Sequence, residues 1–114
     1  MSKEDKRKAT LTKILTEQYK VKDANLVKAL VALGEASTTI TDILTNYVSH
    51  TYAGTQNNSG DDQLHLDIDC DEACFAAIRE SGVFSIAASE ETPVETDVTS
   101  SIEGQERFFS LGFD

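Results

Sequence analysis

The stretch that decides the fold lies in the second half of the chain, where residues 82–91 read Gly82-Val83-Phe84-Ser85-Ile86-Ala87-Ala88-Ser89-Glu90-Glu91. Its apolar run 83–88 is bounded by turn residues, which predicts a short buried β-strand. Gly82 stands where the glycine that ends a helix is expected. Glu90 and Glu91 come directly after the strand, a common place for active-site groups in layered α/β proteins.

Before this stretch, helical spacing of apolar residues recurs three times. The helix nearest to the strand, the third in chain order, is predicted from Leu66 to Ser81. It follows a predicted loop at 49–60 that is rich in Ser, Thr, Asn and Gly. A longer second helix, capped by Asp23 or Asn25, is predicted from apolar positions three, four or seven residues apart. These positions are Leu26, Leu30, Leu33, Ile40, Leu44 and Tyr47.

The two ends of the chain complete the outline. Residues 1–9 are polar and are predicted to be flexible, and a first helix is predicted over Thr10–Tyr19. After the strand, Thr92–Gln105 reads as a polar loop, and Arg107–Phe113 is apolar enough for a second strand that ends at Asp114. The sequence therefore predicts an α+β layered fold, in which helices pack on the first strands of a mixed sheet.

Size and charge limit the possible functions. The 114 residues form one domain at most. Residues 1–28 hold eight basic and four acidic residues, whereas residues 29–114 hold two basic and sixteen acidic residues. This balance argues against nucleic-acid binding, which needs a concentrated basic surface, but permits cation binding. No apolar stretch reaches the ~18 residues of a membrane span, and no secretory signal opens the chain. We expect no membrane contact and a cytoplasmic protein, with an organelle as the alternative.

The cysteines do not indicate a disulfide or a zinc site. Cys70 and Cys74 share one face of the predicted third helix, where disulfide geometry is rare, so free thiols are expected. Zinc would need further His or Cys ligands, and His65 alone does not supply them. The run that begins at Asp67 resembles the start of an EF-hand calcium loop but lacks the glycine and glutamate that such a loop requires at positions six and twelve.

Three separated acidic clusters suit hard cations, which take oxygen ligands and often act on phosphates. The clusters lie at residues 61–67, at Glu90-Glu91 and at Asp114. Each also has an ordinary structural explanation. Asp61, Asp62 or Asp67 would cap the third helix, Glu90-Glu91 would be a solvated turn pair, and Asp69, Asp71 and Glu72 would form a solvated helix face.

Taken in order, these clusters resemble a known enzyme family. The segments are Gly60-Asp61-Asp62-Gln63-Leu64-His65-Leu66-Asp67, then Ala88-Ser89-Glu90-Glu91-Thr92-Pro93, then Gly112-Phe113-Asp114. Together they look like the fructose and sedoheptulose bisphosphatases. Leu33-Gly34-Glu35-Ala36 and the Glu-Glu-x-Pro form are closer to the sedoheptulose-1,7-bisphosphatases. The resemblance covers roughly residues 10–114 and implies a sugar-phosphatase fold.

The resemblance also implies site roles. Glu90 and Asp114 would be bridging magnesium ligands, and Asp61 would help to hold an additional ion, so that two or three Mg²⁺ ions are expected in the complete enzyme. Asp67 and Glu91 would orient and activate water. The substrate would be a sugar bisphosphate, with the 1-phosphate of sedoheptulose 1,7-bisphosphate removed.

The same resemblance carries expectations about the whole enzyme. Asp114 would open an Asp-Pro-Leu-Asp-Gly-Ser motif, so residues 10–114 would be the N-terminal portion of a bisphosphatase domain, inactive by itself. A homo-oligomer, dimer or tetramer, is expected. The alternatives are a fructose-1,6-bisphosphatase and, in another class, a catalytically inactive acidic fragment that acts as an interaction module.

Overall fold

The computed structural model describes residues 1–52, 59–99 and 109–114, with the backbone alone for residues 49–52 and 59–63. In this part of the chain, helices pack on a small mixed sheet, which confirms the predicted α+β class. The elements, in chain order, are α1 (Lys3–Lys13), a π-helical turn (Ile14–Gln18), α2 (Ala24–Tyr52), α3 (Ser59–Ser81), β1 (Phe84–Ser89), β2 (Thr96–Asp97) and β3 (Phe109–Phe113).

The first helix begins at Lys3 rather than at Thr10, so most of the stretch predicted to be flexible is helical. Its start is capped by Ser2, whose Oγ accepts a hydrogen bond from the amide of Asp5 at 3.0 Å. The Lys8 ammonium lies 2.9 Å from the Glu4 carboxylate one turn earlier. These local contacts stabilise a helix that has no apolar periodicity in its first turns.

α1 is fixed against α2 by a close approach and an ion pair. A Cβ at Gly34 would lie 2.9 Å from Cδ2 of Leu11, so the absence of a side chain lets the two helices meet. Beside this contact, the Arg7 guanidinium donates two hydrogen bonds to the Glu35 carboxylate, at 3.1 and 3.0 Å. The segment 33–36 therefore has a packing role in this chain.

The second helix begins where the sequence indicates and extends further than predicted. Asp23 is its cap, because Oδ1 accepts hydrogen bonds from the amides of Asn25 and Leu26 at 3.0 and 3.2 Å. The helix continues to Tyr52, so the predicted loop at 49–60 is wrong at both ends, and residues 53–58 lie outside the described part. Its many hydroxyl side chains bond to carbonyls one turn earlier, as Thr41 does to Ser37, and remain compatible with the helix.

The fully buried positions of α2 carry small residues, whereas the predicted apolar stripe is half-buried or exposed. Leu26 and Leu44 are 37% and 43% exposed. The positions that are buried are Val27, Ala29, Ala32 and Ala36. Since alanine side chains are short, they allow α2 to lie close along α3, its main packing partner.

The third helix begins at Ser59, well before the predicted start at Leu66. Asp61, Asp62 and Asp67 therefore lie within the helix, and none of them is its N-cap. Asp67 comes two turns after the first residue of α3. The predicted helix end is confirmed, because Gly82 follows α3 with a positive φ of 75°, a conformation that glycine adopts without strain.

The sheet has the order β2-β1-β3, with β1 antiparallel to β2 and parallel to β3. The predicted strands are both present, and the predicted polar loop between them contains β2. A core cluster joins the sheet to α2 and α3 through Ala29, Phe75, Ile78, Val83, Phe84, Ala87 and Val98. The core therefore lies between the sheet and the two longer helices. No helix in the described ranges is both long and apolar enough to cross a bilayer.

Candidate functional site

The parallel pairing of β1 and β3 brings two carboxylates together. Ser89 at the end of β1 is the register partner of Phe113 at the end of β3. Glu90 follows the first and Asp114 follows the second, so both emerge from the same edge of the sheet. The predicted positions of Glu90 and Asp114 at strand ends are confirmed, and pairing across the sheet makes them neighbours.

These ends open into a cleft of about 220 Å³ between the sheet edge and α3. Asp67, Asp71 and the two cysteines line it from α3, and Ile40 lines it from α2. Glu91 lines it from the turn that follows β1. Four of the five predicted site residues, Asp67, Glu90, Glu91 and Asp114, therefore share one cleft. The fifth, Asp61, lies on the first turn of α3, and its side chain is outside the described part of the structure.

Electrostatic repulsion is concentrated at Glu90. The pKa of the Glu90 carboxyl is raised, and the main cause is hydrogen bonding with the Asp114 carboxyl. Such a bond favours the protonated form of Glu90, which raises the pKa. The negative charges of Asp114, Glu91 and Asp67, together with slight burial, raise it further. The pair has the chemistry of a cation site, since a divalent ion would offset the repulsion between its two carboxylates.

The described residues supply part of such a site rather than a full set of ligands. Among them, no three His, Cys, Asp or Glu side chains are grouped closely enough to hold one ion in common. Glu90 and Asp114 form a pair, while Asp67 and Glu91 are exposed at the cleft and influence Glu90 through charge. The oxygen-only donors fit magnesium, which is commonly held by one or two carboxylates together with water and substrate phosphates.

The cysteines contribute little reactivity. Both are free and partly buried. Burial is the main cause that raises the pKa of each thiol, and nearby aspartates add to the effect, Asp67 and Asp69 at Cys70 and Asp71 at Cys74. Since the thiolate is the nucleophile and the metal ligand, protonated thiols here are poor at both tasks.

One group in the cleft was missed by sequence reasoning. Asp71 was interpreted as part of a solvated helix face, but its carboxylate accepts hydrogen bonds from the hydroxyls of Ser89 and Thr92, which bracket the two glutamates. The spacing of two hydroxyl residues around a turn is a signal that they bond locally. Nothing in the local sequence indicates that their acceptor is a helix residue 18 positions before Ser89 and 21 before Thr92.

A larger cleft of about 580 Å³ lies away from this chemistry, between α1, α2 and the end of α3. Its walls are mainly apolar, with Val27, Val31 and Ala77 among them. Its acidic members, Glu35 and Glu80, are engaged by Arg7 and Lys8. It therefore offers no group of unpaired carboxylates, and size alone does not make it the candidate site.

Comparison with known proteins finds sequence similarity to sugar bisphosphatases. A chloroplastic sedoheptulose-1,7-bisphosphatase of Triticum aestivum is 36% identical over 92 residues, which are 81% of this chain and 22% of that protein. The chain is therefore similar in sequence to a part of the sedoheptulose-1,7-bisphosphatases. The chloroplastic sedoheptulose-1,7-bisphosphatase of Spinacia oleracea is 33% identical over 96 residues, which are 81% of this chain and 23% of that protein.

The chain thus spans about a fifth of the length of the curated relatives it matches. No family model matches it, and no solved structure matches it. The relationship to the bisphosphatases therefore rests on sequence similarity, and the α+β class rests on the fold of the chain itself.

Proposed function

We propose that the chain forms part of a magnesium-dependent sugar bisphosphatase, which hydrolyses the 1-phosphate of sedoheptulose 1,7-bisphosphate. The observation that carries this proposal is the parallel pairing of β1 and β3, which brings Glu90 and Asp114 to one edge of the sheet and into one cleft. Carboxylate oxygens brought together in this way are the ligands that hard divalent cations take. The names of the two relatives support the substrate.

The proposed roles divide between holding the cation and handling water. Glu90 and Asp114 would hold Mg²⁺, and Asp61 would contribute to an additional ion. When bound, Mg²⁺ would neutralise the negative charge of the phosphoryl oxygens and lower the pKa of a water molecule. Asp67 and Glu91 are exposed at the same cleft, where each can accept a hydrogen bond from an attacking water and take its proton.

Several parts of the proposal concern the whole protein. We expect the sugar-binding surface and the cradle for the phosphate to come from residues outside those that the structure describes. A homo-oligomer of two or four chains stays a prediction, as does the number of magnesium ions. Both relatives are chloroplastic by name, which favours a plastid over the cytoplasmic location expected from sequence.

Phosphate release tests this function. We expect the intact protein to release inorganic phosphate from sedoheptulose 1,7-bisphosphate in the presence of Mg²⁺, with a higher kcat/KM than from fructose 1,6-bisphosphate. Glu91→Gln should lower kcat by about 10²–10⁴-fold if Glu91 takes the proton from water. The matched control is Glu95→Gln, which removes the same charge from an exposed position outside the cleft.

The other results point to the alternatives. A higher kcat/KM with fructose 1,6-bisphosphate would identify a fructose-1,6-bisphosphatase. No magnesium-dependent release from either sugar would contradict the catalytic proposal and favour an acidic interaction module.

A further inference from the structure

One carboxylate in the cleft is occupied by hydrogen bonds that join two distant parts of the chain. Each oxygen of Asp71, in the middle of α3, accepts a hydroxyl from the segment that follows β1. The Ser89 hydroxyl donates to Oδ1, and Thr92 Oγ1 donates to Oδ2 at 2.7 Å. Asp71 is partly buried, whereas Asp69 on the same helix is exposed. This difference sets Asp71 apart from the solvated acidic face to which it was assigned.

The segment held by Asp71 is a closed turn. The amide of Ser89 donates to the carbonyl of Thr92 at 2.9 Å, and the amide of Thr92 donates back to Ser89 Oγ at 3.0 Å. Ser89 is 7% exposed, so its hydroxyl is satisfied almost entirely by protein atoms. It uses its one proton on Asp71 and one lone pair on Thr92, which is within the capacity of a hydroxyl group.

The two residues inside this turn are Glu90 and Glu91. We propose that Asp71 is a positioning residue, which clamps the turn from Ser89 to Thr92 and thereby sets where these glutamates stand in the cleft. The proposal rests on the proposed function of the cleft, because positioning matters only if the two carboxylates act on a ligand. Sites of this kind need side chains held by a supporting set of hydrogen bonds.

A carboxylate suits this position better than an amide. Both hydroxyls donate, so the clamp needs two acceptor oxygens, which an ionised aspartate offers and an asparagine does not. Hydrogen bonds to an ionised acceptor are also stronger than neutral ones. The clamp places a further negative charge beside an acidic cleft, an arrangement that electrostatics alone would disfavour.

The test compares Asp71→Asn with Asp69→Asn, which makes the same chemical change at an exposed position on the same helix. Two properties of the full chain are measured for each variant. Amide hydrogen exchange at Ser89 and Thr92 reports on the clamp, and titration with Mn²⁺ as the probe cation reports on the cleft. Thr92→Val removes one of the two hydroxyls without changing charge, and it serves if Asp71→Asn does not fold.

We expect Asp71→Asn to speed exchange at both amides by about tenfold, as the loss of one charge-assisted hydrogen bond would do to a local opening equilibrium. Mn²⁺ affinity should fall by about ten- to a hundredfold, the usual cost of losing a residue that orients a ligand. Asp69→Asn should leave exchange unchanged. Thr92→Val should speed exchange by a smaller factor. In the double variant its effect should not add to that of Asp71→Asn, because both substitutions weaken the hydrogen bond from Thr92 to Asp71.

The remaining outcomes separate the clamp from the function. Equal exchange rates in Asp71→Asn and Asp69→Asn would show that there is no clamp. Faster exchange with unchanged Mn²⁺ affinity would show that Asp71 holds the turn without positioning the glutamates. Failure of the wild-type chain to take up Mn²⁺ would overturn the proposed function and the positioning role together, while exchange would still report whether the clamp exists.

Discussion

The two ends of β1 lie in opposite environments, although they are one short strand apart. At the start, Phe84 is 3% exposed and packs with Phe75 and Ile78 of α3 in the apolar core. At the other end, Glu90 enters a cleft whose remaining charged members are also acidic. The same helix serves both regions, with its C-terminal half on the core and its middle on the cleft.

The contrast indicates how stability and function are divided in this chain. Apolar burial at the start of β1 favours the folded state, whereas crowded carboxylates at its end oppose it. Ligand-binding sites commonly lower the stability of the unliganded fold, and ligand binding offsets that loss. Perturbing each region should therefore change stability in opposite directions.

The largest effect is expected in the core. Ile78 is 1% exposed, and Ile78→Ala should lower the free energy of unfolding by about 2–5 kcal/mol, because the cavity it leaves cannot close fully. Ile68, on the same helix, is 38% exposed, so Ile68→Ala should cost only about 0.5 kcal/mol. Urea denaturation of both variants measures the difference, and equal losses would show that the core is not where the structure places it.

A smaller effect of opposite sign is expected in the cleft. Because the pKa of Glu90 is raised in the folded chain, the protonated form is favoured there. The stabilisation by protonated Glu90 is fully present below the ordinary Glu pKa of about 4.3. It is lost as the pH rises through the raised pKa of Glu90 in the folded chain. Glu90→Gln keeps a donor toward Asp114 and removes the charge, so it should raise the melting temperature at neutral pH.

The pH dependence checks this sign. The melting temperature of Glu90→Gln should exceed that of the wild type at pH 7, and the gap should close as pH falls below the ordinary carboxyl range. Glu95→Gln is the control for loss of an exposed charge. A gap that widens toward acid pH would contradict the hydrogen-bonded carboxylate pair.

The smallest effect is expected where α1 meets α2. Gly34→Ala should gain up to about 1 kcal/mol from helix propensity, and the new Cβ would require the end of the Leu11 side chain to move. The two terms oppose each other, so the net change in unfolding free energy should stay below about 1 kcal/mol. A loss of several kcal/mol in thermal unfolding would show that Leu11 cannot move.

Local signals in the sequence were sufficient for the strands and for the carboxylates that follow them. The apolar run before Glu90 and the one before Asp114 are short and bounded by polar residues, a pattern that depends little on the rest of the chain. The cap of α2 is also a local signal, and of the two predicted candidates, Asp23 and Asn25, the structure shows Asp23. The carboxylate-bearing segments carry the resemblance to the bisphosphatases, and the comparisons confirm sequence similarity to sedoheptulose-1,7-bisphosphatases.

Features that depend on partners were not predictable. The buried face of α2 is made of one valine and three alanines. Such small residues give a weak periodic signal, and close packing on α3 decides which face is buried. The early start of α3 at Ser59 lacks an apolar signal. The acceptor role of Asp71 depends on contacts 18 and 21 positions along the chain, which only the folded structure brings together.

The measurement that tests the central claim most directly is the melting temperature of the wild-type chain over a titration of Mg²⁺ into the millimolar range, beside Glu90→Gln and Glu95→Gln. A cation that binds the folded state alone raises the melting temperature. We predict a rise for the wild type and for Glu95→Gln and a flat response for Glu90→Gln. A flat response in all three, or an equal rise in all three, would contradict a cation site built on Glu90 and Asp114.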